Sequence, residues 1–92
     1  MKISQEKKEK ISEQILAFLY SKNPQQIFTY HIAREIARDE EFVKSLLQEL
    51  MRKNLVLQIN KNQKGKKYIR RSRWRLSDQA YLSYKNHQSN LI

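Results

Sequence analysis

Very little in this chain bends or cross-links it. Its 92 residues include no cysteine, a single glycine (Gly65) and a single proline (Pro24). Without cysteine there is no disulfide framework and no thiolate zinc site. A lone glycine excludes a phosphate-cradling glycine loop. The longest apolar run, Ile15 to Tyr20, is far too short to cross a bilayer. The first residues, MKISQEKKEK, lack the apolar stretch of a secretory signal, so the expected compartment is the cytoplasm. Two histidines, His31 and His87, are too few for a histidine-rich metal centre. His31 and Glu35 lie one helical turn apart and Asp39, Glu40 and Glu41 are adjacent, yet no further ligand has suitable spacing. We therefore expect no enzyme activity, no cofactor and no metal.

Acidic residues are missing from one segment altogether. Residues 55–76, LVLQINKNQKGKKYIRRSRWRL, carry eight Lys/Arg and no Asp/Glu. Residues 1–54 carry ten Lys/Arg against eight Asp/Glu, and residues 77–92 carry Lys85 against Asp78. Nearly all of the net charge of +10 therefore sits in one place. Such a concentrated field attracts a polyanion, first of all a nucleic-acid backbone.

The same segment has the period of a β-hairpin. Leu55, Leu57 and Ile59 alternate with Val56, Gln58 and Asn60. Tyr68, Ser72, Trp74 and Leu76 run against Ile69, Arg71, Arg73 and Arg75. One face of the second strand directs Trp74 and Leu76 to a core, and the other displays arginines. Gly65 marks the reversal, because glycine adopts positive φ without steric cost.

The remainder reads as helices around a small core. A first helix starts near Ser4 and runs to about Ser21, with Ile11, Ile15, Phe18 and Leu19 on one stripe. Its early turns, Glu6 to Glu13, are polar and are expected to protrude. Asn23-Pro24 stops it, and Ile27-Phe28 suits a short extended segment beside the hairpin. Thr29 is expected to cap a second helix, Tyr30 to Ala37, burying Ile32, Ala33 and Ile36. After a short turn, Asp39 caps a third helix running to Lys53, with Glu40 and Glu41 at its dipole-favoured start. Val43, Leu46, Leu47 and Leu50 form its buried stripe. Glu41, Lys44, Ser45, Gln48 and Arg52 share the opposite face. Asn54 suits a left-handed helix end. Ser77-Asp78 opens a last helix to about Gln88 that packs through Tyr81, Tyr84 and Leu91, and the tail 89–92 frays.

This order, with Ile32-Ala33-Arg34-Glu35-Ile36-Ala37 followed by Val43 to Val56, resembles the winged helix-turn-helix superfamily. It is closest in style to small bacterial and archaeal transcription regulators. Asn54 stands where glycine is usual in those families. Trp74-Arg75-Leu76-Ser77-Asp78 resembles the end of the second wing strand entering a last helix. The expected fold class is α+β: one winged-helix domain over 1–92, with a three-helix core, a basic two-stranded wing, a short third strand and a C-terminal helix. The polar extension covers about 1–10.

The resemblance implies double-stranded DNA binding and transcription regulation. The third helix would enter the major groove, and the wing would lie on the adjacent backbone or minor groove. Carried over by position, Lys44, Ser45 and Gln48 are candidates for base edges, with Glu41 a less favoured one. Arg52, Lys61, Lys64, Lys66, Lys67, Arg70, Arg71, Arg73 and Arg75 are candidates for phosphates. Dimers of this fold class often pair through the first and last helices, so a homodimer is an expected assembly. Asp39, Glu40 and Glu41 depart from the pattern, because carboxylates at the start of a reading helix repel DNA. They favour an alternative in which the wing binds RNA, or an acidic protein, within an assembly module.

Overall fold

The computed structural model describes residues 4–59 and 72–89. The elements are α1 (Gln5–Lys22), β1 (Ile27–Phe28), α2 (Thr29–Ile36), α3 (Glu40–Arg52), β2 (Val56–Ile59), β3 (Arg73–Leu76) and α4 (Asp78–Ser89). The strands form one antiparallel sheet in the order β1-β3-β2. The result is an α+β winged helix. Tyr68, the Gly65 turn, the start of the second wing strand and Leu91 lie outside the described residues.

Local chemistry sets most of the helix ends. Ser4 caps α1 by accepting from the Lys7 amide at 3.3 Å. Asp39 caps α3 by accepting from the Phe42 amide at 3.1 Å. Ser77 Oγ accepts from the Ala80 amide at 3.1 Å and donates to the Asn54 carbonyl at 2.9 Å, tying the start of α4 to the end of α3. At that end Asn54 has φ 62°. Its amide donates to the Met51 carbonyl, and the Leu55 amide donates to the Leu50 carbonyl, both at 3.0 Å. This paired closure directs the chain out of α3 and into β2.

Helix α2 differs from the sequence expectation at its start. It begins at Thr29, preceded by Phe28 with no side-chain cap. Thr29 is buried and its hydroxyl is taken by the core: Trp74 Nε1 donates to it at 2.8 Å. A buried indole N–H without an acceptor is costly, and this need overrides the helix-cap preference of threonine. Ile36 is only half-buried, because α2 leaves the core at its last turn.

Helix α2 ends on a residue that dislikes its conformation. Ala37 sits at φ 56°, ψ 50° in the left-handed region, and the Arg38 amide closes back onto the Ala33 carbonyl at 3.0 Å. An L-residue with a Cβ pays about 1–2 kcal/mol there. Ala37→Gly relieves it, less the entropy of a more flexible unfolded chain. We expect a net gain of about 0.5–1 kcal/mol, seen as a rise in Tm of about 2–8 °C in a circular-dichroism melt. An unchanged or lower Tm would contradict the left-handed assignment.

The core gathers Ile11, Ile15 and Leu19 of α1, Ile32 and Ala33 of α2, and Val43, Leu46, Leu47 and Leu50 of α3. Val56, Trp74, Leu76 and Ala80 complete it. Burial in α1 begins only at Ile11, and most of the preceding polar turns are exposed. In the sheet, Val56 lies opposite Leu76 and Gln58 opposite Trp74, while Leu57 faces Arg75 and Ile59 faces Arg73. Directly opposed residues project to the same side. The core side of β2 therefore carries Val56 and Gln58. The more apolar set, Leu57 and Ile59, lies on the arginine side, where long stems cover apolar surface.

The rings of Tyr81 and Tyr84 lie 5.3 and 5.2 Å from that of Tyr20, and these contacts dock α4 on α1. Leu82 of α4 remains 55% exposed. No helix among the described residues is long and apolar enough to cross a membrane.

Candidate nucleic-acid interface

The helix-turn-helix presents its third helix because α3 has two unlike faces. Val43, Leu46, Leu47 and Leu50 are buried, which turns Glu41, Lys44, Ser45 and Arg52 outward to exposed positions and leaves Gln48 half-buried between them. At 1.5 Å per residue this outward row spans about 16 Å. Ser45 Oγ donates to the Phe42 carbonyl at 2.7 Å, so its hydroxyl presents lone pairs outward. Lys44 and Gln48, one turn apart, bring a cation and an amide to the same strip of surface.

The acidic start of α3 divides into two parts. Asp39 is engaged as the cap. Glu40 and Glu41 are exposed, and among the described residues no ion pair joins them to Arg34 or Arg38. They oppose an approaching polyanion at this end, while the positive end of the helix dipole stabilises them and offsets part of their field. The basic end is the other one, where exposed Arg52 and Lys53 adjoin the root of the hairpin.

At that root the two described wing arginines are anchored differently. Arg75 is half-buried: its Nη1 donates to the Leu76 carbonyl at 2.9 Å and to Asp78 Oδ1 at 3.4 Å. Arg73 is half-buried with its guanidinium 6.0 Å from the centre of the Phe28 ring. Lys61, Lys64, Lys66, Lys67, Arg70 and Arg71 lie outside the described residues.

A polar seam that sequence reading did not find fixes the root of the wing. Gln58 Nε2 donates to Ser72 Oγ at 2.8 Å. The Thr29 amide donates to the Ser72 carbonyl at 3.4 Å, and Thr29 Oγ1 accepts from Trp74. Ser72 thus ties β2 to the start of α2. The sequence carries no local signal for it, because the pairing of Gln58 with Trp74 becomes visible only once the strand register is known.

A cluster of rings was also missed. Phe28 stacks on Tyr30 at 5.8 Å between centroids, and Tyr30 lies 4.2 Å from His31. The run Phe28-Thr29-Tyr30-His31 was its signal. Among the described residues, no group of three His, Cys, Asp or Glu side chains is arranged to hold a metal.

No protein-family model matches the chain, nor does any curated protein at a significant level. Solved structures do resemble it. A structure described as a Staphylococcus aureus MepR–DNA complex superposes with a TM-score of 0.74 at 22% identity, over 91% of this chain and 66% of that one. MepR of S. aureus, described as a transcription regulator of the multidrug efflux pump MepA, gives 0.61 at 20% identity, over 88% and 60%. An apo mutant of Lactococcus lactis ZitR gives 0.63 at 20% identity, over 89% and 59%. At these identities the likeness establishes the winged helix-turn-helix fold. The chain spans between 59% and 66% of the length of these structures.

Proposed function

We propose that this chain binds double-stranded DNA as a transcription regulator, with α3 in the major groove and the basic wing on the adjacent backbone or minor groove. The observation that carries this reading is the outward row Lys44, Ser45, Gln48 and Arg52 on α3, next to the root of a hairpin that holds eight Lys/Arg and no acid. In the DNA reading, Lys44, Ser45 and Gln48 meet base edges, with Glu41 able to accept from cytosine. Arg52 and the wing cations Lys61, Lys64, Lys66, Lys67, Arg70, Arg71, Arg73 and Arg75 hold phosphates. The likeness in fold to a structure described as a MepR–DNA complex supports the reading that a chain of this shape binds DNA. Exposed Leu82 on α4 supports a homodimer through the first and last helices, whereas Tyr81 and Tyr84 are engaged with Tyr20 of the same chain.

Fluorescence anisotropy with a mixed-sequence duplex across a salt series tests the reading. We expect log affinity to fall against log salt with a slope between about −4 and −6, for about four to seven neutralised phosphates. No duplex binding at moderate salt would overturn it. A second reading, an RNA-binding or protein-assembly module, is favoured by exposed Glu40 and Glu41 at the start of α3. It would gain if an RNA duplex bound more tightly than the DNA.

Gln48→Ala reads the role of α3. An amide that pairs with adenine contributes about 1–3 kcal/mol of discrimination against the wrong base. We expect the variant to compress the spread between preferred and random sites by roughly tenfold while lowering non-specific affinity little. An unaltered ranking of sites would remove Gln48 from the reading surface.

A further inference from the structure

We propose that the open cleft between the end of α1, β1 and α2 is a site for an unpaired nucleic-acid strand, separate from the duplex surface of α3. The cleft holds about 910 Å³. Among the described residues three cations line it, Lys22, Arg34 and Arg73, against one carboxylate, Glu35. Phe18, Phe28 and His31 line the same space, and the amide of Gln26 adds a group able to pair with a base edge.

Cations interleaved with aromatic faces are what a single strand requires. Phosphates follow the positive charge, and the bases, no longer stacked on a partner strand, stack on rings. Here the rings are already held in place. Phe28 and Tyr30 stack at an interplanar angle of 17°, and His31 packs against Tyr30. Lys22 Nζ lies 5.9 Å from the centre of the Phe18 ring, and Arg73 lies over Phe28. Half-buried Phe28, flanked by Tyr30 and Arg73, is the ring already ordered in this way, which lowers the entropy lost when a base meets it. Tyr30, His31, Arg34 and Lys22 are all exposed and face solvent. The cleft is open rather than enclosed, which suits a chain passing through it.

Of the residues named here only Arg73 is shared with the duplex reading, and the test leaves Arg73 in place so that it separates the two. Fluorescein-labelled oligothymidylate and oligouridylate of about twelve nucleotides are titrated with the full chain by anisotropy, beside the DNA duplex. The variants are His31→Ala with Arg34→Ala, Lys22→Glu as a second probe of the same cleft, and Lys7→Ala as a like-charge control on the far polar turn of α1. We expect the single strands to bind. The double variant should lose about tenfold or more of that affinity, as removal of a stacking face and a cation predicts. Lys22→Glu should lose affinity in the same direction, Lys7→Ala should change it less than about twofold, and the duplex should be bound by the double variant as by the parent. A preference for uridylate or for thymidylate would identify the strand as RNA or DNA. The proposal is overturned if neither oligonucleotide binds, if Lys7→Ala weakens binding as much as the cleft variants, or if duplex and single-strand affinity fall together.

Discussion

Replacing Trp74 with alanine should remove a large share of the domain's stability, enough to unfold it if that stability lies at the low end for its size. Trp74 has no exposed surface, and truncating a buried tryptophan costs about 3–5 kcal/mol. A chain of this length is stable by only about 5–14 kcal/mol in total. The loss also removes the donor to Thr29 that anchors the start of α2 to β3. Urea denaturation checks this: the midpoint should collapse, or the variant should lack a cooperative transition.

Milder changes separate packing from the hydrogen bond. Thr29→Val keeps the volume and strands the buried indole N–H, for about 1–3 kcal/mol. Trp74→Phe keeps much of the apolar bulk and removes the donor. In the double variant the second change should cost less than it does alone, because the pair is already broken. If Thr29→Val costs nothing measurable, the Trp74–Thr29 hydrogen bond does not hold the seam.

The second large effect concerns binding rather than folding. Replacing Lys66, Lys67 and Arg71 with alanine removes three charges from the basic segment. If each neutralises a phosphate, the slope of log affinity against log salt should flatten by about 2.7. The electrostatic contribution fades toward molar salt, so near 0.1 M the same three contacts account for roughly a 500-fold loss, alike for all duplex sequences. Arg73 is left in place for this test because its guanidinium lies over the Phe28 ring and its loss would disturb the wing root as well. A slope that does not move would mean that the wing does not touch phosphates.

These two tests bear on different levels of the molecule, and the sequence spoke to them unequally. The cap at Asp39, the buried stripe of α3 and its outward row were legible because each depends on local chemistry or on a period of 3.6 residues. The reversal at Asn54 was legible for the same reason: an asparagine tolerates the left-handed conformation. Ala37 was not legible as a helix end, since alanine there carries no local signal and is held in place by the turn that packs α2 against α3.

Thr29 and β2 mark where local reasoning stops. A threonine after an extended pair looks like a cap, and only the position of Trp74, 45 residues away, shows what its hydroxyl serves. The alternation in β2 was visible, but which set faced inward was not. Leu57 and Ile59 are the more apolar pair, yet Val56 and Gln58 share the side of Leu76 and Trp74. The register, fixed by the pairing with β3, decides this, because a shift of one residue exchanges the faces.

By itself, then, the sequence determined where charge concentrates, where helices start and which helical faces are apolar. These follow from composition, capping and periodicity, which act within a few residues. Tertiary structure decided which side of β2 is core, that Thr29 accepts from Trp74, and that Lys22, Arg34 and Arg73 meet Phe18, Phe28 and His31 in one cleft. Those depend on contacts between residues far apart in the chain, set by how the core packs and by the need to satisfy every buried donor.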